Sequence, residues 1–347
     1  MKEFTVSLPQ HNTKVLMYQK QTEHLFRFPD KNKVLYVCDS NTGKLLPSYI
    51  ENFFIVPAGE KYKNRDTVKD LSTWALNAGA DRDTVFVAFG GGVVCDITAF
   101  FASIFMRGTE VILIPTSLLA MVDAALGGKT GIDFEGYKNI LGTFFPAREV
   151  RIIPGVLKTL PKREYRGGLA EVIKHGLLLD ADLLDMLRNR RQEILAGNDE
   201  ITSEMIYRSM LVKKSYIEED PFEKGIRGHL NLGHTFAHAL ESSGGLSQWT
   251  HGEAVAWGIS RAMQAGVLMS ITDTAYAEEV NILLKEYGFQ TDIKIASPEE
   301  LIDAMQRDKK RKAGKVRFIL QEKQGCTLYK EIPFEILQRV LTSNGTC

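Results

Sequence analysis

The chain has 347 residues, of which 44% are hydrophobic, and its 43 basic and 43 acidic residues give a formal net charge of zero. This length exceeds the usual size of one hydrophobic core, which predicts two domains. The balanced charge argues against a general nucleic-acid or anionic-membrane surface.

No apolar run approaches the roughly 18 residues of a membrane span, and the N-terminal residues lack the apolar core of a signal peptide. The four cysteines show no CxxC spacing, so we expect reduced thiols and a cytoplasmic protein.

The first half of the chain alternates short β-branched runs with helical patterns, which is typical of a parallel sheet. The last two runs flank an apolar segment, residues 93–108, which is long enough for a buried helix. The predicted strands are 33–39, 51–57, 83–90 and 109–115.

After about residue 158 the pattern becomes helical and β-like runs are rare. The predicted helical segments are 167–180, 201–219, 251–269 and 275–287. We therefore predict an α/β dinucleotide-binding domain over 1–158, followed by an all-α domain over 159–347. We expect an active site in the cleft between them.

A glycine triplet, Gly90–Gly92, joins the strand at 83–90 to the apolar helix. Bare backbone amides at a helix N-terminus suit a pyrophosphate, although the GxGxxG fingerprint is absent and a tight turn is the alternative.

Asp39 and Asn41 follow another strand at the edge where open α/β sheets bind ligands, and a carboxylate there can accept hydrogen bonds from ribose hydroxyls. A local Asp-Ser-Asn turn is the competing interpretation. Glu60 and Lys63 read, by themselves, as a solvated charge cluster.

The segment GGKTG at 127–131 invites comparison with a phosphate-binding P-loop. The Walker pattern requires a glycine where this chain has Asp123, so a nucleoside-triphosphate hydrolase is disfavoured. Lys129 and Lys138 stay candidates for an anionic group, since lysine is a point charge suited to phosphate.

His234 and His238 are four residues apart and therefore share one face of a predicted helix. Threonine at 235 replaces the glutamate of the zincin pattern, which disfavours a metalloprotease. Glu171 and His251 lie among small residues in two other helical segments. Glutamate and two histidines match the three protein ligands of many catalytic zinc sites. Satisfied core histidines are the alternative.

Several segments together resemble the 3-dehydroquinate synthases, and the likeness covers nearly the whole chain. They follow the family's order, which makes the resemblance far more specific than any single motif. The segments are GGGVVCD, MRG, PTSLLAMVDAALGGKTG, KNILGTF, TLPKREYRGGLAEVIKHG, GIRGHLNLGHTFAHALE and HGEAVAWG.

The resemblance implies that Glu171, His234 and His251 hold one zinc or cobalt ion, while His238 faces the substrate as a hydrogen-bond donor or proton shuttle. It also implies a bound NAD. The implied NAD contacts are Asp39, Asn41, Ala58, Gly59, Glu60, Lys61, Tyr62, Lys63, Gly91, Gly92, Val93, Val94, Cys95, Asp96, Thr116, Ser117, Lys129, Lys138, Val156, Leu157, Lys158 and Thr159. Cys95 stands where the family commonly has glycine, and a side chain beside the pyrophosphate weakens NAD binding if it faces the cofactor.

The implied substrate is a small anionic sugar-acid phosphate, 3-deoxy-D-arabino-heptulosonate 7-phosphate, which the family converts to 3-dehydroquinate and phosphate. Transient oxidation by NAD, elimination of phosphate, re-reduction and an intramolecular aldol closure make up the reaction in the shikimate pathway. The implied substrate-binding residues are Arg107, Asp123, Lys129, Lys174, Lys213, Arg227, Asn231, His238 and Lys309, the last preferred over Lys310.

Two other enzyme classes share this scaffold, namely inosose- or valiolone-type sugar phosphate cyclases and metal-dependent glycerol or alcohol dehydrogenases. The combination of Lys213, Arg227, Asn231 and His238 favours the dehydroquinate substrate, because this set suits a carboxylate-bearing sugar acid. A homodimer is a further expectation from the resemblance.

Overall fold

A computed structural model describes residues 1–19, 25–28, 33–243, 249–293, 295, 297–311 and 316–342, and of residues 243 and 306–311 it describes only the backbone. The strands are β1 (Lys2–Val6), β2 (Thr13–Met17), β3 (Val34–Asp39), β4 (Phe53–Val56), β5 (Val85–Gly90), β6 (Val111–Pro115), β7 (Lys129–Phe134), β8 (Tyr137–Phe144), β9 (Glu149–Ile152), β10 (Phe318–Lys323) and β11 (Cys326–Lys330). The α-helices are α1 (Arg65–Asn77), α2 (Gly92–Ile104), α3 (Lys162–Leu178), α4 (Ala181–Asn189), α5 (Arg191–Leu195), α6 (Asp199–Glu219), α7 (His234–Ser243), α8 (His251–Leu268), α9 (Thr274–Glu286), α10 (Pro298–Arg311) and α11 (Phe334–Thr342).

The chain divides into two compact units. The first consists of Met1–Pro161 and Thr202–Glu223, and the second of Lys162–Ile201 and Lys224–Cys347. Most of α6 therefore groups with the first unit, although the sequence analysis placed it in a domain beginning at residue 159. Helical periodicity shows that a segment has an apolar face, but it does not show which core that face joins.

A seven-stranded sheet with the order β1-β2-β9-β6-β5-β3-β4 forms the centre of the first unit. Only the β1–β2 pair is antiparallel; the other neighbours run parallel. Strands β5 and β6 are buried at every residue, as expected for strands that are covered on both faces. The four strands predicted from the sequence are present within two residues of their predicted ends, and they are joined by β1, β2 and β9.

The apolar helix predicted after the glycine triplet is α2, which ends at Ile104 rather than 108. It buries Val94, Ile97 and Phe101. A separate hairpin, β7–β8, also belongs to this unit, and almost all of β8 is exposed.

The second unit consists mainly of helices, and α8 is its central element, buried from Ala254 through Gly266. The predicted fold class, a mainly parallel α/β region followed by a helical region, is confirmed. The hairpin β10–β11 adds a small antiparallel sheet to the helices. Within the part of the chain that the structure describes, no helix has both the length and the apolar character to cross a membrane.

Candidate functional site

The glycine turn after β5 presents the N-terminus of α2. Gly91 is the N-cap residue of α2. Because glycine has no side chain, no N-cap side chain accepts hydrogen bonds from the first backbone amides of this helix. Gly90 is required by packing, because a Cβ there would lie 2.6 Å from the side chain of Val94. An uncapped helix start next to a glycine turn suits a pyrophosphate.

Asp39 organises the turn that follows β3. Its Oδ1 atom accepts hydrogen bonds from the backbone N–H groups of Asn41 and Thr42, each at 2.8 Å. The Thr42 hydroxyl donates to the carbonyl oxygen of Phe89 at 2.9 Å, which ties this turn to the end of β5. The local turn that competed with ribose binding in the sequence analysis is therefore real, and the contact of Asp39 with NAD stays a prediction.

Other predicted NAD contacts lie at the same edge of the sheet, because the carboxyl ends of neighbouring parallel strands share one edge. The backbone N–H of Thr116 donates to the carbonyl of Gly90 at 2.9 Å. A Cβ built on Gly91 would lie 3.6 Å from the Ser117 hydroxyl. The predicted residues 58–63 follow β4, and Val156, Leu157, Lys158 and Thr159 follow β9 in a short 3₁₀ segment. Lys138 is exposed on β8.

Lys63 is buried, and its ammonium contacts the Asp96 carboxylate and the side-chain oxygen of Asn139, each at 2.5 Å. Burial raises the pKa of Asp96, and the charge of Lys63 opposes this effect. Two residues that were predicted as separate NAD contacts therefore form one ion pair. Asn139 has a left-handed φ of 51°, a conformation that asparagine tolerates better than most residues.

The Cys95 side chain is 1% exposed, and its sulfur lies 3.7 Å from the carbonyl oxygen of Gly90. Burial raises the pKa of this thiol well above its ordinary value. The thiol is thus packed against the glycine turn and is not exposed. The weakening of NAD binding that was expected from an exposed Cys95 side chain therefore does not apply.

The predicted substrate residues of the first unit are paired with carboxylates at two places. The Lys213 ammonium donates to both the carbonyl and the carboxylate of Asp123, and Lys129 forms an ion pair with Glu223. Arg107 is exposed and has a left-handed φ of 70°, next to Met106 at 49°. Backbone strain of this kind persists only where the surroundings enforce it and is frequent at functional sites.

Three helices of the second unit bring Glu171, His234 and His251 together. The Nε2 atoms of His234 and His251 lie 3.6 and 3.3 Å from the same carboxylate oxygen of Glu171, which is completely buried. Their ligand atoms lie within 4.8 Å of one another. The other oxygen of this carboxylate forms an ion pair with Lys174. A buried carboxylate faced by two imidazole nitrogens fits a divalent metal ion.

The outward nitrogens of both imidazoles also face oxygen atoms. His234 Nδ1 lies 3.3 Å from the carbonyl oxygen of Leu232, and His251 Nδ1 lies 3.7 Å from the carboxylate of Glu241. Such partners fix the ring orientation of a histidine ligand and leave Nε2 for the metal.

The charges of this cluster are strongly coupled. Burial and the charge of Lys174 hold the pKa of His234 well below its usual value, so this imidazole is neutral, as a ligand must be. Burial opposes ionisation of Glu171, but Lys174 and His251 outweigh it and hold the pKa of Glu171 well below its usual value. Burial also opposes the protonation of His251, yet the carboxylates of Glu171 and Glu241 raise its pKa to about 9. A metal ion would therefore displace a proton from His251.

Glycine contacts hold the ligand-bearing helices close together. A Cβ on Gly252 would lie 1.9 Å from the carbonyl oxygen of Gly167, where α8 meets α3. A Cβ on Gly258 would lie 2.1 Å from the carbonyl oxygen of Gly233, where α8 meets the start of α7. Only glycine permits these approaches.

A capping box fixes the start of α8. The Thr250 side chain accepts a hydrogen bond from the Glu253 N–H, and the Glu253 carboxylate accepts one from the Thr250 N–H. Arg163 of α3 donates two hydrogen bonds to the same carboxylate, at 2.7 and 2.9 Å. His251, the first residue of α8, is thereby fixed against α3.

The remaining predicted residues of the second unit lie in varied surroundings. Lys174 is 1% exposed and pairs with Glu171, whereas His238 is exposed, with its ring centroid 5.6 Å from that of His234. Arg227 is 2% exposed, and Asn231 is partly buried in the same short 3₁₀ segment, Ile226–Asn231. The side chain of Lys309 lies outside the described residues.

Three residues that contact the predicted site were not predicted from the sequence, namely Asn139, Glu223 and Glu241. Glu241 lies seven residues after His234, which is two helical turns, so the spacing places both on one face of α7. That signal was available in the sequence. No local pattern marks the partners of Lys63 and Lys129, because those contacts join segments that are distant along the chain.

Two family models match consecutive parts of the chain. The model of the 3-dehydroquinate synthase N-terminal region matches residues 53–167, and that of the C-terminal region matches residues 168–311. A 3-dehydroquinate synthase of Nostoc punctiforme is 42% identical over 290 residues, which cover 82% of this chain and 80% of that protein. One of Nitrosospira multiformis is 37% identical over 336 residues, covering 93% and 91%.

Solved structures of sugar phosphate cyclases have the same fold. A 2-epi-5-epi-valiolone synthase of Streptomyces hygroscopicus with NAD⁺ and Zn²⁺ bound has a TM-score of 0.87 at 25% identity, covering 96% of this chain and 97% of its own. A 2-deoxy-scyllo-inosose synthase complexed with carbaglucose-6-phosphate, NAD⁺ and Co²⁺ has a TM-score of 0.86 at 23% identity, covering 98% and 99%. A probable glycerol dehydrogenase of Sinorhizobium meliloti has a TM-score of 0.66 at 14% identity, covering 94% of each. The matches to both halves of the sequence, with relatives near 40% identity, confirm the predicted resemblance: the chain belongs to the 3-dehydroquinate synthase family.

Proposed function

We propose that this chain is a carbon–oxygen lyase that converts 3-deoxy-D-arabino-heptulosonate 7-phosphate to 3-dehydroquinate and phosphate. Family membership over both halves of the chain supports this activity. The observation that carries the proposal in the structure is the convergence of two imidazole nitrogens on one oxygen of the buried Glu171 carboxylate.

The proposed cofactors are NAD and one zinc or cobalt ion, which agree with those in the two similar cyclase structures. Glu171, His234 and His251 would hold the metal, and the edge of the sheet after β3, β5 and β6 would hold NAD. When bound, the metal supplies a Lewis acid for the substrate's alcohol oxygen, and NAD supplies a reversible hydride acceptor.

The chain's own residues bind, orient and protect the substrate. Arg227 and Lys174 are buried cations, which attract a carboxylate or phosphate more strongly than solvated cations do. Lys129, Lys213 and Arg107 are further cations that the family resemblance assigns to the substrate. Cations that fix its anionic groups lower the barrier by orientation. His238 is exposed and lies beside the metal ligand His234, so its ring is proposed to donate or shuttle a proton.

The test is phosphate release from the heptulosonate phosphate by purified protein supplied with zinc or cobalt and a trace of NAD. We expect many turnovers per NAD without net NADH, because the hydride returns within each cycle. Removal of the metal with a chelator should abolish activity, and added cobalt should restore it.

Three outcomes contradict the proposal. Steady accumulation of NADH with a simple alcohol or glycerol indicates a dehydrogenase. Turnover of a hexose or sedoheptulose phosphate, but not of the sugar acid, indicates one of the other cyclase types. Full activity after complete removal of metal contradicts a metal-assisted reaction.

We also propose that the enzyme is a cytoplasmic homodimer. The expectation rests on the family resemblance and on the free state of Cys38, Cys95 and Cys326, the cysteines that the structure describes. Light scattering of the purified protein tests the dimer, and cell fractionation tests the compartment.

A further inference from the structure

We propose that strand β11 is a positioning element for substrate binding: Tyr329 and Thr327 hold the segment Ile226–Asn231 in the conformation that presents Arg227 and Asn231. This inference rests on the proposed function, which assigns Arg227 to the substrate, and on the family resemblance, which implies a substrate contact for Asn231. The segment itself is a single stretch of 3₁₀ helix, which has poorer hydrogen-bond geometry than an α-helix. It therefore depends on external contacts for a fixed shape.

Thr327 and Tyr329 are two residues apart in β11, so their side chains emerge on the same face of the strand. The Tyr329 hydroxyl donates to the carbonyl oxygen of Gly225 at 2.8 Å, immediately before the segment. The Thr327 hydroxyl lies 2.7 Å from Nδ1 of His229, and the rings of His229 and Tyr329 are in contact, with centroids 5.0 Å apart. These contacts hold the segment on both sides of Arg227.

Gly228 makes this arrangement possible. A Cβ at this position would lie 2.0 Å from the Tyr329 hydroxyl oxygen and 3.3 Å from the ring carbon that carries it. Its φ is not in the left-handed region, so close approach rather than backbone conformation requires glycine here. The close contact with Tyr329 therefore requires glycine at position 228. Removal of the Tyr329 hydroxyl alone would open most of the space that an alanine at 228 needs.

The hairpin is itself anchored on a helix of the proposed metal site. The side chains of Gln321 and Gln324 donate to the last carbonyl groups of α3, those of Leu177 and Gly176, at 2.7 and 3.1 Å. The N–H of Gly325 donates to Leu177 as well, at 2.9 Å. The hairpin thus satisfies the C-terminus of the helix that carries Glu171 and Lys174, which gives Tyr329 a rigid base.

This arrangement predicts an effect on substrate affinity rather than on chemistry. If Arg227 binds an anionic group equally in the ground state and the transition state, a loosened segment raises KM and leaves kcat nearly unchanged. Ordering the segment before binding removes an entropic cost that the substrate would otherwise bear.

The experiment compares Tyr329→Phe, Gly228→Ala and the double variant with the wild-type holoenzyme. Loss of one hydrogen bond predicts a rise in KM of about fivefold for Tyr329→Phe, with kcat within about twofold of wild type. The overlap in Gly228→Ala predicts a larger rise, of about tenfold or more. The double variant should fall back toward the KM of Tyr329→Phe, because the hydroxyl that collides with the new methyl group is absent.

Tyr276→Phe is the matched control, because the Tyr276 hydroxyl donates its hydrogen bond to Gln321 of the same hairpin, at 2.8 Å, rather than to the segment. We expect its KM to equal that of wild type, although it also loses a tyrosine hydrogen bond to the hairpin. Bound metal should be the same in all variants.

Hydrogen exchange of the backbone amides at 225–232 separates this proposal from the proposed function. Faster exchange in Tyr329→Phe than in Tyr276→Phe supports the positioning role, even if the wild-type protein fails to convert the heptulosonate phosphate and the proposed function falls. Unchanged exchange overturns the positioning role. An active series in which KM is unaffected, or in which the double variant is worse than either single variant, overturns it as well.

Discussion

The contact between Gly252 and Gly167 leads to a prediction about the proposed metal site. In Gly252→Ala, the new Cβ would lie 1.9 Å from the Gly167 carbonyl oxygen, whereas ordinary contacts begin at 3.4 Å, so the two backbones must separate by about 1.5 Å. His251 is the adjacent residue, and metal–ligand distances tolerate only about 0.2 Å. We expect metal affinity to fall by about 100-fold and unfolding free energy to fall by about 1–3 kcal/mol.

Gly167→Ala is the matched control, because a Cβ on Gly167 would meet only the Thr250 hydroxyl, at an ordinary 3.7 Å. Alanine also favours the helix over glycine by about 1 kcal/mol, so this variant should be at least as stable as wild type. Zinc affinity is measured by competition with a chromophoric chelator, and stability by urea unfolding of the metal-free protein. Equal metal affinity in Gly252→Ala and wild type would refute the view that this contact places His251.

Two further substitutions test how the predicted ligands are held and divided. Glu241→Gln keeps an amide oxygen near His251 but removes the negative charge. We therefore expect zinc affinity to fall by about tenfold and the absorption spectrum of the cobalt form to change. An unchanged affinity and spectrum would exclude an orienting role for Glu241. His251→Ala should lose the metal, whereas His238→Ala should keep it and lose turnover. Equal metal loss in the two histidine variants, measured by elemental analysis, would show that the proposed ligand set is wrong.

The sheet was predictable where each strand is buried on both faces. Strands β5 and β6 are continuous apolar runs because helices cover both sides of a parallel sheet, and such runs stand out in a sequence. Strand β8 is almost entirely exposed and includes Gly142, so neither a continuous apolar run nor a clear alternation marks it. The hairpin β10–β11 is short and lies among helices, which is why the sequence analysis did not find it.

The local sequence pattern also did not predict contacts between segments that lie far apart along the chain. The amphipathic helix α6 was recognised, but its contacts with the first unit, such as Lys213 with Asp123, depend on tertiary packing. The same reason hides the pairing of Lys63 with Asp96 and Asn139. Asp39 illustrates the opposite case, because the turn that it forms is encoded within four residues and was foreseen as an alternative.

The cluster around Glu171 shows that helical spacing and tertiary packing favour different pairs of histidines as metal ligands. His234 and His238 share a face of α7, and their ring centroids are 5.6 Å apart, but the centroid of His251 on α8 is equally near to His234, at 5.4 Å. Ring distance therefore does not distinguish the two candidates. Glu171 does, because it presents a fully buried carboxylate oxygen to the Nε2 atoms of His234 and His251.

Burial also favours His251 over His238 as the second histidine of the proposed metal site. His238 is exposed, whereas His251 is partly buried and has carboxylates near both of its ring nitrogens. A ligand needs a fixed orientation, which Glu241, the capping box and the Gly252 contact provide for His251. The exposed imidazole of His238, next to the cluster, suits the proposed proton transfer to a bound substrate. His238 and His251 are thus suited by their surroundings to different tasks. The proposed ligand set therefore follows from how three helices pack and not from the spacing within one helix.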